Sequence, residues 1–378
     1  MKIAVLLAVL TCCTLGSAKG APADPLSLAT SLALRMEGDA DVAAQQRLLI
    51  ALRLIKRGKF PEALKLAESI PDYRAGSVMA ACLPAFPEKF DALLSRIHKL
   101  ASVASTRAAD ELHLRVASYL ATLPQHDKQV VEALDRIRDE ESKLAAELLV
   151  AGQRPGFDLR LFASRLEKFT SKVPFPSAVE AAELRVQQAV KSWAKDEKTA
   201  RKGVQQALEL AKRGNVPLAD FLLQTALALM GVPANDLLTE VIASADKELA
   251  NIPNAYDFKV PLLVKRARLH FAQKQPKEGE GVLKQANDLA HGIDEWSRPS
   301  ALVWVAVAEC HFCNTEGGRH RLDDALHMAG QNPNPRMQLL TGIQACFAHD
   351  DLSISVAEAV TAKITALGIA PVSPLSAP

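Results

Sequence analysis

Aromatic residues are scarce in this chain, at 5% of 378 positions, with three tryptophans and three tyrosines. A core built from so few rings has to be filled by alanine, leucine and valine, the filling of helix stacks. Runs of β-branched residues with strand-like alternation are also missing, which excludes a sheet-based fold. Charge of one sign is lacking: 45 Lys and Arg face 43 Asp and Glu, a formal net charge of +2. That balance removes the electrostatic case for binding nucleic acid or an anionic membrane. No G-x-S-x-G, H-E-x-x-H or G-x-x-x-x-G-K-S/T occurs, so the common hydrolase, metalloprotease and nucleotide-binding signatures are absent. Beyond the first fifteen residues no apolar run reaches the roughly 20 residues of a spanning helix.

What is present is a spacing. A small residue is followed by another twelve positions later at Ala51/Ala63, Ala207/Ala219, Ala267/Gly279, Ala306/Gly318 and Ala345/Ala357, and the last three pairs start 39 residues apart. Two antiparallel helices approach closely only where their crossing point carries no bulk. Four and seven positions after the second small residue lie Ala67 and Ile70, Leu223 and Ala226, Leu283 and Ala286, Leu322 and Ala325, and Thr361 and Ile364, nearly all apolar and on one helical face. Residues 51–63 and 207–219 agree at eight of thirteen positions. Gly58 and Gly214 stand where a helix C-cap needs a left-handed residue, and Pro61 and Pro217 follow in the first turn of the next helix. These features predict an all-α protein of helical hairpins. The expected helices include 73–83, 87–101, 106–122 capped by Ser105, 127–138, 139–151, 158–171, 177–194 and 196–213. Between 71 and 199 their order does not alternate cleanly with the two best hairpins.

The paired small residues, the glycine turns and the apolar positions after them resemble the tetratricopeptide repeat (TPR) over about 44–75, 200–231 and 260–367. The unit here is 39 residues where that family has about 34, and Arg47 and Leu54 stand where its aromatic residues would fall. The resemblance implies an α-solenoid, a right-handed superhelix of stacked hairpins whose concave surface takes a protein or peptide partner. If the small residue of each first helix faces its hairpin partner, positions three before it and one, four and five after it point to that concave face. The partner-binding residues implied are Val264, Arg268, Phe271, Val303, Val307, His311, His349 and Asp350. No catalytic residue, metal or cofactor is expected.

Met1-Lys2, the apolar Ile3–Leu10 and the small Gly16-Ser17-Ala18 read as an export signal cleaved after Ala18 or Ala21, which implies a periplasmic or extracellular protein. The expected organisation is a signal peptide over 1–20, a helical-repeat region over 21–173, a repeat array over 174–367 and a disordered tail over 368–378. One cluster offers a different class of function. Cys310, His311, Cys313, His320, His327, Cys346 and His349 could serve a metal-binding or redox protein, although the C-x-x-C ends a helix, where the dipole favours the neutral thiol. The oxidising compartment predicts at least one disulfide among Cys310, Cys313 and Cys346, with Cys82 free. Lys265, Arg266 and Arg268 are expected to solubilise an exposed helix face. Ala301–Ala308, apolar all round, is expected to be buried all round.

Overall fold

The structure, a computed structural model, describes residues 22–121, 123–140, 142–143, 146–147, 150, 176–212, 218–254, 257–313 and 316–368. The export signal with Cys12 and Cys13, the helix expected at 158–171, Gly214, Pro217 and the tail from 369 lie outside them. Among the described residues the chain is all α, with seventeen α-helices and no strand. They are α1 (Pro25–Leu34), α2 (Ala40–Lys56), α3 (Phe60–Ala67), α4 (Arg74–Cys82), α5 (Phe90–Val103), α6 (Thr106–Leu120), α7 (Asp127–Asp135), α8 (Pro176–Ser192), α9 (Glu197–Ala211) and α10 (Leu218–Leu229). The series continues with α11 (Asn235–Asn251), α12 (Lys259–Ala272), α13 (Pro276–Gly292), α14 (Arg298–Phe312), α15 (Glu316–Gln331), α16 (Pro335–Leu352) and α17 (Glu358–Ala366). No helix of the described residues is long and apolar enough to cross a membrane.

Local chemistry sets the helix ends. Asp24, Asp39, Ser105 and Asn334 each accept a bond from a backbone N–H in the first turn of their helix, which satisfies a donor the helix cannot. Gly58 ends α2 at φ +72°, as its position predicts. Lys274 and Ser353 do the same for α12 and α16 at φ +60° and +58°. At all three ends the next residue's N–H returns to a carbonyl five back: Lys59 to Leu54, Gln275 to His270, and Ile354 to His349. The stop is thus one repeated backbone motif, and glycine marks it only once.

The packing order fixes the register that the sequence left open. Helices α2, α4 and α6 pack in succession, as do α8, α10, α12, α14 and α16, and α6 touches α8. Each even-numbered helix up to α14 also packs along the odd-numbered helix after it. The pairs are therefore α8 with α9 and α10 with α11, whereas α9 and α10 meet only slightly. This corrects the hairpin expected at Ala207/Ala219, because α9 and α10 belong to two different pairs. The reason lies in α10, where Phe221, Leu222, Leu223, Thr225, Ala226 and Leu229 are all buried. A helix that apolar has to be covered on several sides, by α8, α11 and α12.

The series also closes on itself. Helix α1 packs most extensively on α16, then on α2, and touches α17, and Ala23 forms a two-bond antiparallel bridge with Val356. One apolar core accordingly joins Leu26–Val150 with Val260–Leu367, and a second lies among Ala182–Leu269. Helix α14 is buried from Ala301 to Ala308 as expected, and its Trp304 Nε1 donates to Gln344 Oε1 at 3.0 Å.

Candidate functional site

The last turns of α2 and α16 meet the outer half of α12 in a cluster of charges. Asp351, at the end of α16, lies beside Arg53 of α2 and 3.4 Å from Lys265 of α12. Lys265 Nζ also donates to Asp220 at 2.6 Å. Arg53 donates to Asp350 at 3.0 Å and sits 4.2 Å above the Phe347 ring, and Arg57 Nε donates to Asp350 at 3.0 Å. The main chain takes part too: Arg57 bonds the Asp350 carbonyl and Arg268 the Asp351 carbonyl. Those oxygens belong to the last turn of α16, where carbonyls have no partner inside the helix. Two arginines therefore cap α16 and meet the negative end of its dipole.

The electrostatics follow from burial and pairing. Burial alone would raise the Asp351 carboxyl, but Lys265 and Arg53 outweigh it and hold the group down to about 2. The same pairs raise Arg53 and Lys265 against the burial that would lower them. Arg268 is lowered by burial and by the nearby charge of Arg57, and His311 by burial and by Arg268. His349 is lowered chiefly by burial, with a smaller push from His311, while its Nδ1 lies 2.8 Å from the Ala345 carbonyl.

The structure divides the eight residues implied by the family resemblance. Arg268, His311, His349 and Asp350 come together around this cluster. Val264, Val303, Val307, His349 and Asp350 are buried, and the three valines belong to the apolar core that also holds residues of α1 and α2. Phe271 was expected to face away from its hairpin partner. Instead a Cβ on Gly279 would stand 2.7 Å from the Phe271 ring, and one on Gly318 would stand 2.9 Å from the Cys310 backbone nitrogen. The close approach falls four residues after Ala267 and Ala306, nearer the turn, so Phe271 and Cys310 line the hairpin seam. Ala357 is exposed and precedes α17, so the last small pair does not form a seam. Phe271 stacks on Phe312 at 4.5 Å and 4°, and the exposed His311 meets Phe312 edge-on at 4.7 Å. At the surface, the ends of α2, α12 and α14 thus present Arg57, Arg268, Phe271, His311 and Phe312.

Lys265 and Arg268 depart from the expected solubilising role, since Lys265 is buried in ion pairs and Arg268 caps a helix. Arg53, Arg57, Asp220 and Asp351 are the members of the cluster that the sequence did not single out. The available signal was Arg53 and Arg57 one turn apart, matched by the adjacent Asp350 and Asp351. Among the described residues no disulfide forms, and Cys82, Cys310, Cys313 and Cys346 are free thiols, which departs from the disulfide expected among the last three. Cys310 and Cys313 share one helix end, and Cys346 is fully buried within α16. Burial pushes Cys82 and Cys346 up to about 12 and also raises Cys310 and Cys313. His320 and His327 are exposed on α15 beside Glu316 and Gln331. Among the described residues no group of three or more His, Cys, Asp or Glu is placed to hold a metal ion. Comparison with known proteins gives no match to a family model, a curated protein or a solved structure.

Proposed function

We propose that the protein is an exported, non-enzymatic helical-repeat scaffold of the TPR-like kind, and that it binds a protein or peptide partner. The pairing of helices in series, with buried small residues along the seams, supports that architecture. The observation that carries the binding site is the stacked Phe271–Phe312 pair flanked by Arg268 and the exposed His311. Rings held flat by stacking offer apolar area at little entropic cost, and the Arg268 guanidinium beside them favours an acidic neighbour. The partner segment is accordingly an extended peptide or helix end that carries an apolar side chain next to a carboxylate. The buried valines of the expected strip support this surface from behind and do not touch the partner.

The test is affinity capture from the native envelope fraction with the unaltered protein and with a His311→Glu/Phe312→Ala variant. The captured partner should be lost from the variant while its circular dichroism stays helical. Undiminished capture by a folded variant would place binding elsewhere.

A further inference from the structure

Helix α1 is a terminal arm of ten residues whose partners lie mostly at the other end of the chain. Leu32 lies under Gly342 of α16, where an added Cβ would come within 2.9 Å. Ala23 exchanges two backbone bonds with Val356, at 2.9 and 3.0 Å. Arg35 donates to the carbonyls of Thr365, at 2.9 Å, and Leu367. The side of α1 made by Leu26, Ala29, Leu32 and Ala33 is fully buried. The linker from α1 to α2 is short, with Met36 buried in the core and Glu37 and Gly38 exposed. Gly38 stands at φ +85° with nothing within 4 Å of its Cβ position, above an open cleft of about 460 Å³ lined by Met36, Glu37, Gly38, Arg47 and Pro71 among others.

We propose that the face α16 and α17 offer to α1 also serves as a docking surface for α1 of a second copy of this chain, so that two copies exchange their first helices. The exchange keeps every contact of the arm, because an identical arm meets an identical face, and the linker alone changes path. Which form wins depends on the protein concentration against the effective concentration of the tethered arm. The closed monomer holds when the protein is dilute, and the exchanged dimer gains as concentration rises. The proposal is independent of the partner site at Phe271 and Phe312, which lies on α12 and α14 outside the arm's face.

Shortening the linker tests it. Deleting Glu37 and Gly38 from a chain carrying Ala23→Cys and Val356→Cys leaves the arm too little length to fold back. The exchange predicts a doubled molar mass by light scattering and a covalent dimer on a non-reducing gel, with neither single-cysteine chain giving that dimer. A monomer closed by an internal disulfide between the two introduced cysteines would overturn it. If the deletion variant does not fold, the same cysteine pair with the natural linker decides. After refolding at rising concentration, the covalent-dimer share should climb with concentration, and no dimer at any concentration would sink the proposal.

Discussion

Gly318 and Gly281 occupy successive units of the same series, yet they should answer opposite ways to one methyl group. A Cβ on Gly318 would stand 2.9 Å from the Cys310 backbone nitrogen, which cannot swing aside, whereas Gly281 has open space. Gly281→Ala should therefore raise stability by about 0.5–1 kcal/mol, the usual gain of alanine over glycine inside a helix. Gly318→Ala should lower it by about 1–2 kcal/mol net, because the overpacking cost exceeds that gain. Urea midpoints at unchanged slope would check both values. The smallness of Gly318 was legible from its spacing. Its true neighbour was not, because a twelve-residue period fixes which residues are small but not where along the seam the helices cross.

Between α5 and α6 the half-buried His98 and the buried His113 face each other at 5.8 Å. His113 Nδ1 is buried and unbonded. Burial, His98 and Arg136 depress His113 to about 4. The groups around the pair are Asp110 of α6, Glu132 and Arg136 from α7 and its end, and Arg138 beyond. The unfolded chain takes up a proton near pH 6.5 that the folded chain refuses until about 4. Stability should therefore fall as pH drops through that window, by up to about 3 kcal/mol. His113→Gln should flatten the slope in denaturation curves taken from pH 7 to pH 4. Asp351 has the opposite surroundings. Asp351→Ala leaves Lys265 with Asp220 alone and Arg53 with Asp350 alone and should cost about 1–3 kcal/mol, while removing the exposed Lys128–Glu132 pair should leave the melting temperature unchanged. At this scale the sequence was most informative where a single face carries the signal. Ser105 caps α6, and Ala301–Ala308 is buried throughout. The sequence misled at 207–219, because glycine and proline between two helices read the same whether those helices pair with each other or belong to successive pairs.

The whole molecule is joined at its ends, and nothing local announces that. Arg53 and Arg57 meet Asp350 and Asp351 across 293–298 positions of chain, whereas from the sequence Asp350 is expected on a partner-binding strip and the other three have no role. Val303 and Val307, expected on an open strip, are buried in the apolar core that also holds residues of α1 and α2. Arg336–Asp39 at 2.6 Å and the Ala23–Val356 bridge complete the join. With the two ends side by side, the order in which the chain passes through its helices ceases to matter to the fold. A glycine–serine link long enough to run back along α1, from Gly368 near Arg35 to Pro22 near Val356, with new ends opened in the turn at 252–254, should give a circular permutant with the same seventeen described helices. Its near-ultraviolet circular dichroism should overlay that of the natural order. The first and last helices would become interior ones, and α11 and α12 would become the ends.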